Sequence, residues 1–228
     1  MEIINLNRNQ PSIINIKTSF ILNFQYSKDI WILNCSQGCQ HLMEQKNLKI
    51  NQISNIILTE NNIDNISGLL GLLSSLSLIN RKKKLNIYIS EGIEKYIILG
   101  KKYAKTNFRF CIYIYTLKTG LIVKNQDYQI YTFNNKLNFE FLLTTKNKYG
   151  KFKFHKAQKF RFTVGPTYGK LKNGCSFLLP DGIIIDGYKF TKFYKSGIKQ
   201  SILNNKYHNR NNVEISHKSK ILEYKFIV

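Results

Sequence analysis

Short apolar runs alternate with polar stretches along the first hundred residues. Residues 19–24 (SFILNF) and 30–33 (IWIL) are β-prone, and the QYSKD stretch between them reads as a turn, so two neighbouring strands are expected. Residues 37–48 are polar with spaced apolar positions and read as a helix. Residues 53–58 (ISNIIL) read as a third strand. From Asp64 to Leu78 the apolar residues Ile66, Leu69, Leu70, Leu73, Leu76 and Leu78 recur at helical spacing, which predicts one buried helix. The RKKK run at 81–84 reads as a solvated turn, 85–89 as a strand and 92–100 as a helix. The order β, β, α, β, α, β, α predicts a layered α/β fold.

Beyond Phe110 the pattern turns to strands: FCIYIYTL, YQIYTF and FEFLL, up to Phe141. Between Thr144 and Lys159 the chain becomes very basic and loses its periodicity. The KFKF and KFRF stretches alternate in the manner of two-faced strands, with aromatics in a core and lysines in water. They also suit a polyanion surface, and both readings can hold together. Gly165 and Gly169 are expected to allow tight turns, and Pro166 to fix one dihedral. Residues 191–228 are rich in Lys and Asn and end in a weak strand over 221–228. No internal repeat is visible.

The 228 residues suit one generous domain or two small ones, and 43% hydrophobic residues argue against a disordered chain. Asn, Ile, Lys and Tyr dominate, which points to A/T-rich codons such as those of plastid, mitochondrial and some parasite genomes. Codon bias raises Lys, but it does not require so few acids. The balance is 35 Lys+Arg against 13 Asp+Glu, a formal net charge of +22. Such a surface repels itself unless it meets a polyanion. Nucleic acid is the first candidate, since the cations are spread along the chain. A membrane binder would concentrate them beside one apolar helix face, so no membrane partner is expected. Cys35 and Cys39 have no second pair at zinc-site spacing. They read, with Cys111 and Cys175, as reduced thiols of an intracellular protein. The polar start resembles neither a secretory signal nor a transit peptide, so an organellar protein of this kind would be made inside the organelle.

Four stretches together resemble ribonuclease Z, the tRNA 3′-processing branch of the metallo-β-lactamase fold. The first is Trp31-Ile-Leu-Asn34-Cys35-Ser36-Gln37-Gly38-Cys39-Gln40-His41, where the family has a strand ending in Phe-Asp-Cys-Gly-Glu-Gly-Thr-Gln-His. The second runs from Leu58-Thr59-Glu60-Asn61-Asn62-Ile63-Asp64-Asn65 to Gly68-Leu69-Leu70-Gly71-Leu72-Leu73. There the family writes Thr-His-x-His-x-Asp-His and a Gly-Leu-Pro-Gly-Leu-type helix. The third is Leu85 to Ile93, ending in Gly92-Ile93. The fourth runs from Gly150-Lys151-Phe152 through Gly165-Pro166 and Tyr168-Gly169-Lys170-Leu171-Lys172-Asn173-Gly174 to Asp181-Gly182. It is similar to the family's protruding arm, which grips tRNA away from the cleavage site and which other metallo-β-lactamase branches lack.

The departures are chemical. A two-zinc hydrolase needs neutral imidazoles and a carboxylate at fixed spacing. The three histidine positions of the motif hold Glu60, Asn62 and Asn65, and Asp64 alone survives. The family pattern makes that Asp both a ligand and the general base. Its structural alternative is a helix N-cap or first-turn acid. Asn suits zinc poorly, although Glu60 with Asp64 would also suit a hard ion such as Mg²⁺ or Mn²⁺. The strand-end Asp is Asn34, a later family histidine falls near Asn134 or Asn135, and the Ser-Gly-Asp-Thr stretch falls near Leu203-Asn204-Asn205. His41, His155, His208 and His217 are scattered, and the chain stops before the last family histidine.

The resemblance therefore implies an α/β fold, a partial metallo-β-lactamase αββα sandwich with a projecting tRNA-binding arm. The expected division is a metallo-β-lactamase-like N-terminal half over 1–142, a basic arm over 143–190 and a shortened remnant of the second half over 191–228. The expected tRNA contacts are Lys146, Lys148, Lys151, Lys153, Lys156, Lys159, Arg161, Gly165, Pro166, Lys170 and Lys172, interleaved with aromatics. The family uses two zinc ions, but no cofactor is expected here. The expected role is tRNA or precursor-tRNA binding in 3′-end processing without zinc-dependent catalysis. The alternatives are an active 3′-processing endoribonuclease with an atypical metal site, or a decaying open reading frame. An incomplete sandwich would expose apolar sheet, so a homodimer or a heterodimer with an active subunit is expected. Composition and the existence of plastid-encoded relatives make a soluble plastid (chloroplast) protein the expectation.

Overall fold

The computed structural model describes residues 2–6, 19–23, 29–125, 127–135, 138–146, 150–160, 162, 165–179, 182–191, 197–203 and 209–223. Lys148, Tyr149, Arg161, Asp181, Asn204, Asn205 and His208 lie outside them, as do most of the turn expected over 25–29 and the end of the strand expected over 221–228. The chain divides into two compact units. One comprises Met1–Lys124, Gln129–Leu143 and Gln200–Val228; the other comprises Asn125–Tyr128 and Thr144–Lys199.

The first unit begins with β1 (Glu2–Asn5), β2 (Phe20–Asn23), β3 (Ile30–Leu33), α1 (Cys39–Gln45) and β4 (Ile53–Ile57). It continues with α2 (Ile63–Ile66), α3 (Leu69–Leu78), β5 (Leu85–Ile89), α4 (Ile93–Tyr103) and β6 (Ile112–Thr116). These strands form a six-stranded sheet in sequential order, antiparallel from β1 to β3 and parallel from β3 to β6. Parallel strands need crossovers, and the helical segments between them supply these. The IWIL run of β3 is buried at every position, as a strand covered on both faces must be. One sheet face carries Ile32, Ile56 and Ile87, which join Leu69, Leu72, Leu73 and Leu76 of α3 and Ile93 and Ile97 of α4 in one apolar core. On the other face Trp31 stacks on Tyr88 at 6.0 Å and Tyr88 on Tyr115 at 5.2 Å.

A second sheet has the order β13-β12-β9-β8-β7 among the described residues. It is built from β7 (Gly120–Lys124), β8 (Tyr128–Asn135), β9 (Asn138–Thr145), β12 (Lys199–Leu203) and β13 (Lys220–Glu223). Residues 191–228, read from the sequence as a remnant, thus supply two strands of this sheet and α7 (Arg210–Ser216).

The other unit holds α5 (Phe154–Lys159), α6 (Pro166–Lys172) and a two-stranded ribbon of β10 (Phe177–Leu178) and β11 (Ile184–Ile185). The KFKF alternation does not become a strand. Phe152 makes one bridge to Thr191, and the chain then turns into α5, which buries Ala157. Here an apolar face came from helical spacing around Ala157 instead of from the pleat.

Two further expectations change. The helix read over 64–78 is two helices, α2 and α3, broken at Ser67-Gly68. Gly68 N donates to Cys35 O at 2.9 Å, and a Cβ on Gly68 would lie 2.1 Å from Ser36 O. This close backbone crossing, which only glycine permits, interrupts the helix. The RKKK run is also not uniformly solvated, because Arg81 is 2% exposed. Its guanidinium donates to Lys83 O at 2.8 Å and to Asn51 O and Lys84 O at 2.9 Å, and it lies 5.7 Å from the Phe110 ring centre.

Removal of that guanidinium leaves three carbonyls without their donor. Arg81→Ala is expected to lower unfolding stability by about 2–4 kcal/mol, with Arg81→Lys intermediate. Urea denaturation measures this, and equal midpoints for wild type and Arg81→Ala would refute it.

Candidate functional site

The loop after β4 is built by backbone crossings from β3. Asn34, buried and in the left-handed region at φ 58, accepts Thr59 N at 2.9 Å and Thr59 Oγ1 at 3.1 Å through its Oδ1. Cys35 N donates to Asn65 O at 2.7 Å. Ser36 N donates to Ser19 Oγ at 2.9 Å, and Ser19 Oγ donates to Ser36 Oγ at 2.7 Å. Asn34 at the former Asp position thus serves as a loop staple.

The motif residues face different ways. Asn62 caps α2, its Oδ1 accepting Asp64 N at 3.3 Å. Asp64 is an exposed first-turn acid of α2, as its structural reading expected. Asn65 is buried and donates through Nδ2 to Glu60 Oε1 at 2.8 Å. Asn61 Nδ2 donates to Glu91 O at 3.0 Å, and Ser90 Oγ donates to Asn61 Oδ1. Glu60 is only 9% exposed. Burial pushes its carboxyl up to about 7, against the bonds from Asn62 and Asn65, which pull it down, while the nearby Asp64 charge adds a small upward push.

A second carboxylate sits close by in the backbone path. Phe139 N donates to Thr59 O at 3.0 Å, joining β9 to the loop one residue before Glu60 and one before Glu140. Glu140 is 1% exposed, and its Oε1 accepts Asn212 Nδ2 at 2.7 Å and Asn135 Nδ2 at 3.4 Å. Asn209 caps α7 and donates to Asn135 Oδ1 at 3.1 Å. The sequence reading missed Glu140, Asn209 and Asn212. Their sequence signal is faint, because Asn is abundant everywhere and the partners of Glu140 lie up to 72 residues away.

The fold family implies zinc, and this donor set does not fit it. A carboxyl and two carboxamides stand where imidazoles are needed, and Asn62 and Asn65 are engaged in local hydrogen bonds. Glu60 sits where desolvation favours its neutral form, the opposite of a ligating carboxylate. Among the described residues, no group of three or more His, Cys, Asp or Glu is placed to hold a metal ion. His41, His155 and His217 belong to no such group among the described residues.

The second unit carries the expected cations on a small aromatic core. Ala157, Leu171, Ile185 and Phe190 are buried, with Phe152, Phe162 and Tyr168 packed against them. Tyr168 lies 5.3 Å from Phe152 and 5.8 Å from Phe154, and its hydroxyl donates to Phe162 O at 2.9 Å. Lys146, Lys151, Lys159, Lys170 and Lys172 are exposed, and Lys153 is half-buried. Lys156 Nζ lies 5.3 Å from the Phe190 ring centre and donates to Lys189 O at 3.3 Å, so part of its capacity is spent inside the unit. Gly165 precedes α6 in extended backbone at φ 174, Pro166 opens the helix, and Gly169 lies within it. The tight turns expected at these two glycines are therefore absent, and Pro166 instead sets the first helical dihedral. Exposed Lys189 and Tyr188 join this unit and were missed.

No protein-family model matches the chain. It is 32% identical over 188 residues to the uncharacterized protein ycf56 of Porphyra purpurea, covering 81% of this chain and 72% of that protein. It is 30% identical over 173 residues to the ribonuclease Z of Nostoc sp., covering 75% of this chain. The chain spans only about half of that relative, 54% of its length. The solved structure of human tRNase Z, short form (ELAC1), superposes with a TM-score of 0.52 at 20% identity, covering 60% of each chain. Two sheets with α3 and α4 packed on the first, and a loop in the place of the motif, define a ribonuclease Z-like protein of the metallo-β-lactamase fold. Within that class the chain belongs to the family of the ycf56 proteins.

Because the folded Glu60 holds its proton more tightly than the unfolded chain does, its stabilising contribution is full below about pH 4.5 and is lost as pH rises through about 7. Between about pH 5 and about pH 8 the wild type should lose on the order of 2 kcal/mol more stability than Glu60→Gln, whose amide oxygen still accepts from Asn65. Glu60→Ala should cost about 1–3 kcal/mol at the lower pH by removing the acceptor of the buried Asn65 Nδ2 hydrogen bond. Parallel pH profiles for wild type and Glu60→Gln would contradict this.

Proposed function

We propose that this chain binds tRNA or precursor tRNA through its basic second unit and does not cleave it through a zinc centre at residues 60–65. One contrast carries the reading. The loop that should present imidazoles is closed by the Glu60–Asn65 hydrogen bond, while the basic unit keeps a folded aromatic core under exposed lysines. Lysines on a rigid platform neutralise phosphates with counterion release, and folded RNA is recognised largely through shape and backbone. Lys146, Lys151, Lys153, Lys159, Lys170 and Lys172 are the proposed contacts. Gly165 and Pro166 set the start of α6 in that unit, and Lys148 and Arg161 complete the basic set of the sequence.

The similarity to ycf56 proteins and the A/T-biased composition support a plastid location. No helix of the described residues is long and apolar enough to cross a membrane. Ile98 and Leu99 are exposed on α4, which supports assembly with a second copy or with a catalytically active subunit.

The test is binding to precursor tRNA and to an unstructured RNA of equal length across a salt series, with and without Zn²⁺ or Mn²⁺, and with the products resolved on a gel. The expected result is tRNA-selective binding without cleavage. Charge reversal at Lys151, Lys153 and Lys159 should weaken tRNA binding by about tenfold or more. Metal-dependent cleavage at the 3′ end, abolished by Asp64→Ala, would overturn the proposal in favour of an unorthodox metal site. Light scattering after size exclusion should show a species larger than one chain, and a monomer at every salt concentration would remove the assembly proposal.

A further inference from the structure

The parallel order of β3 to β6 sorts charge onto opposite edges of the first sheet. The ends of α3 and α4 and the starts of β5 and β6 all lie on one edge, because each helix returns the chain to the strand start. Hydrogen bonds join these pieces. Leu85 N donates to Cys111 O at 2.9 Å, Arg109 Nη1 to Asn80 Oδ1 at 2.8 Å, and Ser77 Oγ to Asn107 O at 3.3 Å. Between them runs a groove of about 450 Å³ lined by Ser74, Ser77, Asn80 and Asn107 together with the apolar Leu78 and Phe108.

Exposed cations crowd this edge: Lys82 to Lys84 after α3, Lys101, Lys102 and Lys105 around the end of α4, and Arg109 before β6. Glu91 and Glu94 are the acids between residues 78 and 110, and both sit at the opposite edge, where α4 begins. Asp29, before β3, is the acid whose charge reaches Arg81. Lys101 and Lys102 offset the negative end of α4, which amounts to about half a charge, so most of the positive charge is left over. Asp29 and Glu44 are acids on the strand-start side, but within residues 78–110 both acids lie at the opposite edge, which a lysine excess set by codon usage alone does not account for. Tyr103 is 76% exposed there, with Lys102 Nζ 5.9 Å from its ring centre. An exposed aromatic among cations is the combination that stacks a base while neutralising its phosphates.

We infer that this edge of the first unit is a second RNA-backbone contact surface, built from residues other than those of the basic unit. The inference rests on the tRNA-binding reading above. It adds phosphate contacts without base specificity and one stacking position at Tyr103.

The test replaces Lys82, Lys83, Lys101, Lys102 and Lys105 by Gln. All five are exposed, and circular dichroism with urea denaturation checks that the variant folds. The Kd for precursor tRNA should rise by about tenfold or more, and the slope of log affinity against log salt should shrink by about 0.7–0.9 for each phosphate that the variant no longer neutralises. Preference for tRNA over unstructured RNA should survive in this variant. Unchanged affinity and slope for both RNAs, in a protein whose basic-unit variant does lose tRNA binding, would overturn this inference and leave the proposed function standing. No RNA binding by the wild type at about 50 mM salt would overturn both. Loss of binding to anionic phosphatidylglycerol vesicles with RNA affinity intact would overturn it in favour of a lipid surface.

Discussion

The crossing of two backbones at Gly68 is the constraint on which the loop architecture depends. Cys35 donates to Asn65 O and accepts from Gly68 N, so the chain leaving β3 and the chain entering α3 are held in direct contact. A side chain at residue 68 would collide with Ser36 O. That contact fixes where α2 ends and where α3 begins. It also places residues 59–65 over the end of β3, where Asn34 staples Thr59. The position of the loop is therefore set by backbone contacts at Cys35, Asn65 and Gly68 and by the Asn34–Thr59 staple.

What the loop carries is a set of hydrogen bonds in place of ligands. A metal site needs anionic or imidazole donors held apart with their lone pairs open. Here amides donate to carboxylates, Asn65 to Glu60 and Asn212 to Glu140, and each pair satisfies groups that burial would otherwise penalise. The raised carboxyl of Glu60 follows from the same burial. The loop that carries Glu60, Asn62 and Asn65 is supported by backbone atoms and by Asn34, Ser19 and Ser36.

Charge has been distributed by topology. In a parallel layer every helix begins at one edge and ends at the other, so residues distant in sequence meet by edge. The acids Glu60, Asp64, Glu91 and Glu94 follow strand ends, whereas the Lys82–Lys84 run and the lysines ending α4 precede strands. The basic unit gathers its lysines differently, around a compact core of Ala157, Leu171 and Phe190, where α5 and α6 each end in cations.

The sequence alone determined the strands at 20–23, 30–33, 53–57 and 85–89, the layered α/β class and the surplus of positive charge. Those features depend on local runs and on composition, which need no partner to be read. The loss of imidazoles at Glu60, Asn62 and Asn65 was equally legible, since it is a matter of residue identity. Tertiary structure decided the rest. Arg81 is buried because its guanidinium bridges the nearby Lys83 and Lys84 carbonyls to the Asn51 carbonyl 30 residues away. The 64–78 helix is broken because residue 68 meets residue 36. The KFKF stretch yields to α5 because its core lies on a helical face, and Glu140 finds its partner 72 residues away. Each of these turns on a contact between segments far apart in sequence, and local periodicity carries no record of such contacts.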